Sequence, residues 1–106
     1  MLPRISFFSV LLIFLVSAGS VSAHTPLFSC FDNGDGTIYC EGAFSDGSSA
    51  SGVPVVVEDG SGKEIFEGKL SKTSDIEFDK PEGEYTVIFS GGEGHSIKIP
   101  GSEIWE

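Results

Sequence analysis

From Leu27 onward, apolar residues recur in short alternating or β-branched runs, each cut off by a cluster of Gly, Pro, Asp or Ser. No segment keeps a 3.6-residue apolar period over a dozen positions, so the pattern predicts strands and no long helix. Strands are expected at Leu27–Phe31, Thr37–Phe44, Val53–Glu58, Glu64–Leu70, Asp75–Asp79, Glu84–Ser90 and His95–Ile99. Alternation assigns their faces: Ile76 and Phe78 point one way and Asp75, Glu77 and Asp79 the other. Tyr85, Val87 and Phe89 likewise oppose Thr86 and Ile88, and Ile97 and Ile99 oppose Ser96 and Lys98. The apolar sets form the inner faces. Phe28, Phe44, Phe66, Phe78, Tyr85 and Phe89 are assigned to the core, because a thin core needs its large rings more than a surface does. The expectation is an all-β fold, a seven-stranded antiparallel Greek-key β-sandwich in one small domain.

The first 23 residues follow another pattern. Arg4 gives a basic start, Ile5 to Val16 an apolar stretch, and Ser17 to Ala23 a run of small residues with Val21 and Ala23 at positions −3 and −1 of a cleavage site. Residues 1–23 are therefore read as a signal peptide cut after Ala23, and residues 24–106 as the mature domain, periplasmic or secreted. An uncut anchor is the alternative, disfavoured because the apolar run falls short of the roughly 20 residues a membrane span needs. No cysteine follows Leu15 to Gly19, which argues against a lipoprotein. All 16 acidic residues lie beyond the leader while Arg4 is lost with it, so the formal charge moves from −10 to −11. Such a surface repels nucleic acid and anionic membranes and keeps the protein soluble.

In an exported chain, Cys30 and Cys40 are expected to pair as a disulfide. They flank Phe31 to Tyr39, a hairpin with Asn33-Gly34-Asp35-Gly36 at its tip, whose two strands set them opposite each other. A metal-thiolate or redox pair is the alternative, but the spacing fits neither a Cys-x-x-Cys motif nor a zinc knuckle.

The order of the middle segments carries a resemblance. A small-residue turn (Asp46 to Gly52), Val53-Pro54-Val55-Val56-Val57, Asp59-Gly60-Ser61-Gly62-Lys63, Asp75-Ile76-Glu77-Phe78 and Pro81-Glu82-Gly83-Glu84-Tyr85-Thr86-Val87 follow one another. This resembles the carboxypeptidase-regulatory-like, or transthyretin-like (prealbumin-like), modules over roughly residues 42–90. It departs where those modules carry a glycine before the Phe of the fifth strand, since Ser74-Asp75 stands here. The resemblance implies a prealbumin- or Ig-like sandwich in a structural, adhesive or accessory role, and no particular activity.

Cleavage after Ala23 would make His24 the first residue, whose α-amine and ring nitrogen can chelate one metal ion. The only other imidazole is His95, after Gly91-Gly92-Glu93-Gly94. If consecutive strands alternate in direction, the starts of the first and seventh lie at the same end of the sandwich, together with Ser45–Gly52 and Ser71–Ser74. The hairpin tip then falls at the far end. An amine and two imidazoles would form a T-shaped three-nitrogen site suited to Cu(II) and workable for Ni(II). It resembles the histidine brace of lytic polysaccharide monooxygenases and small periplasmic copper carriers, the match being limited to His24 and His95. Glu93 and Asp46 are candidate oxygen donors, though solvated loop acids are the commoner case.

Other motifs lead nowhere chemical. Asn33 to Ile38 resembles the middle of an EF-hand loop, but the outer ligand positions fall on Phe31 and Gly42, so a turn is expected. Ser48, Ser49 and Ser51 lack a Gly-x-Ser-x-Gly elbow. Asp75, Glu77 and Asp79 are read as a solvated outer face that guards a sheet edge. Trp105 is expected either to fold back on the core or to dock a partner. Two functions follow. One is a non-enzymatic carrier or sensor for copper or nickel, working with a membrane transporter or another exported protein. The other is an accessory sandwich that binds protein or carbohydrate, its histidines incidental.

Overall fold

The computed structural model describes residues 25–92 and 94–106. Residues 1–23, read from the sequence as a signal peptide, lie outside the described residues, as do His24 and Glu93. Among the described residues seven strands are formed: β1 (Pro26–Asp32), β2 (Thr37–Phe44), β3 (Pro54–Asp59), β4 (Glu64–Lys69), β5 (Asp75–Asp79), β6 (Tyr85–Ser90) and β7 (Ser96–Pro100). A 3₁₀ turn, Gly101–Glu103, follows. The strands agree with the apolar pattern to within a residue or two at their ends. The seventh begins at Ser96, so His95 is the last residue of the loop and not the first of the strand.

Two antiparallel sheets result, ordered β1-β2-β5 and β4-β3-β6-β7. The tight hairpins, β1-β2 and β3-β4, are closed by side chains that satisfy the turn. Asp32 Oδ1 accepts from Gly34 N and Asp35 Oδ1 from Thr37 N, while Gly34 and Gly36 take positive φ. Asp59 Oδ1 accepts from the amides of Ser61 and Lys63. Asn33 to Thr37 is therefore a hairpin tip held by its own carboxylates, as expected of Asn and Asp in turns. Pro54, which has no N–H to give a ladder, occupies the first position of its strand, where that loss is tolerated.

The core forms between the sheets from Ile38, Cys40 and Phe78 on one side and Val55, Val57, Tyr85, Val87 and Phe89 on the other. Ala50, Leu70 and Ile104 close it from the loops and the C-terminal tail. Phe89 joins the sheets, its ring centroid 5.2 Å from that of Phe28 and 6.0 Å from that of Phe44. Phe66 stacks on Phe78 at 5.2 Å. Phe28 and Phe66 lie on the edge strands β1 and β4 and Phe44 ends β2, and all three are only partly buried. Gly42 is required by this packing: a Cβ there would fall 2.8 Å from Leu70 Cδ1 and 3.0 Å from Phe89 Cε2.

Candidate functional site

The rim of interest is built by the starts of β1 and β7 and by the loop after β2. Thr25, adjacent to His24 in the sequence, donates its amide to Ser45 Oγ at 2.9 Å, and its carbonyl accepts from Ser45 N at 2.9 Å. This continues the β1-β2 register, in which Pro26 faces Phe44, beyond the strand ends. His95 is held by its own backbone, its N–H donating to Gly92 O at 2.9 Å and its carbonyl accepting from Gly91 N at 3.2 Å. With Phe44, Ser48 and Gly91 it lines a cavity of about 210 Å³. Phe44 thus borders both Thr25's partner and His95, and the alternation argument holds for the described residues: the chain entering β1 and His95 share one rim. The other loops assigned to that end join it, Ala50 N donating to Ser74 Oγ at 3.0 Å and Gly42 N to Ser74 O at 2.8 Å.

Asp46 belongs to the same rim. Its Oδ1 accepts from Ser48 N at 2.9 Å and Ser48 Oγ at 2.6 Å, which ties it to a residue that lines the cavity together with His95. Among the described residues no group of three His, Cys, Asp or Glu side chains could hold a metal ion. A metal at this rim therefore needs donors beyond those described, and His24 is the residue that precedes Thr25 in the sequence. Glu93 lies outside the described residues.

The disulfide expectation is met: Cys30 and Cys40 are bonded, face each other in the β1-β2 register, and have Cα atoms 4.0 Å apart. That close spacing marks a non-hydrogen-bonded pair, so the main-chain groups of alternate β1 residues turn outward to the sheet edge. Asp32 uses its outward N–H to bond Trp105 O at 3.2 Å. The tail thus docks on the β1 edge through its main chain, with Ile104 buried beside the core and Trp105 69% exposed.

Sequence reasoning missed two features. Ser74 has φ 63°, the one non-glycine residue with positive φ among those described. The second is an outward cluster in which the Tyr39 hydroxyl donates to Asp75 Oδ2 at 3.0 Å and reaches Glu41 Oε2 at 3.4 Å. These carboxylates hold the Tyr39 pKa up at about 12, chiefly through the Asp75 hydrogen bond. Asp75 in turn is lowered by its bonds from Ser71, Tyr39 and Thr73. Only the strand register brings Tyr39 and Asp75 together.

No protein-family model matches the chain, and neither a curated protein nor a solved structure resembles it closely enough to count as a match. The functional reading therefore rests on the site itself.

Proposed function

We propose that this chain is exported, cut after Ala23, and holds one Cu(II) or Ni(II) ion through the α-amine and ring of His24 and the ring of His95. It acts as a carrier, a sensor or an accessory to metal transport, with a membrane transporter or another exported protein as its partner. The observation that carries this reading is the pairing of Thr25 with Ser45 at the rim where His95 walls its cavity. An amine and two imidazoles suit these ions by ligand type, and Asp46 at the same rim is a candidate oxygen donor. The Cys30–Cys40 disulfide is compatible with an oxidising compartment. Binding and delivery is the chemistry assigned, and not catalysis, since a cavity of about 210 Å³ offers little room to align a substrate beside the ion. We read the strand order as a Greek-key sandwich of the prealbumin or Ig-like type, because β2-to-β3, β4-to-β5 and β5-to-β6 each pass between sheets.

The test is titration of the exported protein with Cu(II) and Ni(II), with electron paramagnetic resonance of the copper form. A control carries one extra residue before His24. A one-to-one nitrogen-rich site, lost in the control and weakened in His95→Ala, supports the reading. Equal binding by the control, or no tight binding by either protein, overturns it and leaves the accessory sandwich.

A further inference from the structure

The outer face of the β1-β2-β5 sheet is unlike the rest of the surface. Register and burial turn Leu27, Ser29 and Phe31 of β1, Tyr39, Glu41 and Ala43 of β2, and Asp75, Glu77 and Asp79 of β5 outward. Phe31, Tyr39 and Glu77 form one row across the strands, and Ser29, Glu41 and Asp75 the next. Leu27 is 50% and Phe31 45% exposed. Every charge at these positions is a carboxylate. The outward positions of the other sheet, in contrast, mix Glu58 and Glu67 with Lys69 and Lys98.

A shallow cavity of about 270 Å³ opens on this face, lined by Leu27, Ser29, Glu41, Gly42, Ala43 and Thr73. Its walls combine aliphatic carbon, hydroxyls and one carboxylate, a lining complementary to a lysine or arginine, whose apolar stem ends in a cationic hydrogen-bond donor. The hydroxyl proton of Tyr39 cannot serve two carboxylates at once, and Asp75 is the nearer acceptor. Asp75 also takes hydroxyl bonds from Ser71 and Thr73, so its oxygens are already engaged. The acceptor capacity of Glu41 is left for a donor from outside.

We propose that this face docks an extended basic segment of a partner protein, one arginine or lysine lying in the cavity with its head on Glu41 and its stem along Leu27 and Ala43. Phe31 beside Tyr39 provides an aromatic floor for the next side chain, and a neighbouring cation there gains from the ring faces. The charge of the chain, −10, favours such a partner over an acidic one. None of the residues that line this cavity lines the one beside His95.

The experiment follows backbone amide shifts by NMR as exported protein, freed of metal with a chelator, is titrated with an end-blocked Gly-Arg-Leu-Arg-Gly peptide and its neutral citrulline counterpart. Shifts centred on Ser29, Glu41, Ala43 and Thr73 with the arginine peptide, and none with the citrulline peptide, are expected. Glu41→Gln should weaken binding about tenfold, as loss of one charge-assisted contact does, and Glu67→Gln on the other sheet less than twofold. Leu27→Ser, which changes no charge, should weaken it several-fold. Equal losses in Glu41→Gln and Glu67→Gln would mean a general attraction to an acidic chain and would overturn the assignment. So would shifts centred elsewhere, no binding at millimolar peptide, or the same shifts produced by protein concentration alone, which would make a second copy of the chain the occupant.

Discussion

Replacing Gly101 by alanine should push a methyl group into the ring of Tyr85. A Cβ built there falls 2.4 Å from Tyr85 Cε1 and 2.7 Å from both Cδ1 and Cζ, well inside the 3.4 Å at which ordinary contact begins. The ring has little room to yield. Tyr85 is 7% exposed, and its hydroxyl is buried without a hydrogen-bond partner among the described residues. If the backbone gives way, the 3₁₀ turn must shift and carry Ile104 and the Trp105–Asp32 bond with it. Overpacking of this kind costs about 1–3 kcal/mol, and a clash with a rigid ring belongs in the upper half of that range, about 2 kcal/mol. For a domain this small such a loss corresponds to a fall of roughly 8–16 °C in Tm. Urea unfolding followed by far-ultraviolet circular dichroism, with the disulfide intact, measures it directly. The decisive comparison is a cycle with Tyr85→Leu, which removes the ring. In that background Gly101→Ala should cost less than about 0.5 kcal/mol. An unchanged midpoint for Gly101→Ala alone, or the same cost in both backgrounds, would refute the argument that the ring dictates glycine at this corner.

Further outcomes follow from other parts of the structure. Joint replacement of Cys30 and Cys40 by alanine should lower stability by about 2–3 kcal/mol, the value for closing a short loop, seen as a lower urea midpoint against the oxidised protein. Ser74→Ala should be less stable than Ser74→Gly by about 1 kcal/mol, because both lose the hydroxyl that Ala50 N bonds and only alanine keeps a Cβ at φ 63°. Since the Tyr39 pKa is raised to about 12, its contribution to stability is complete below the ordinary phenol value of 10.0 and is lost as pH climbs through about 12. An absorbance titration should show that late ionisation disappear in Tyr39→Phe. Asp75 behaves in the opposite sense: its lowered pKa makes its contribution complete above the ordinary value of 3.8 and lost on further acidification, so Asp75→Asn should flatten the acid limb of an unfolding curve. Trp105, 69% exposed, should be quenched by acrylamide nearly as well in the folded as in the unfolded protein.

Short alternating or β-branched runs bounded by turn residues were enough to place the strands, and where a run alternates the side-chain period of two also assigns its faces. Ile76 and Phe78, or Tyr85, Val87 and Phe89, declare their inner face without reference to any neighbour. The turn at Asn33 to Thr37 and the bridge between Cys30 and Cys40 were also local, since the bridge joins residues only 10 positions apart across that turn. Strand parity alone also brought the entry to β1 and His95 to one rim.

What needed the tertiary structure is whatever depends on which strands become neighbours. Leu27 and Phe31 alternate with Phe28 and Cys30 in a segment apolar on both faces, so periodicity is silent about which pair stays exposed; pairing with β2 and packing on Phe89 decide it. Tyr39 and Asp75 are 36 residues apart and meet only because β5 lies against β2. The tail is resolved the same way: Ile104 is the residue buried against the core, and Trp105, largely exposed, gives its carbonyl to Asp32. Local sequence fixes the conformations that a few neighbouring residues can satisfy by themselves. Contacts between distant segments are chosen by how two sheets exclude water together, and no single stretch of chain contains that information.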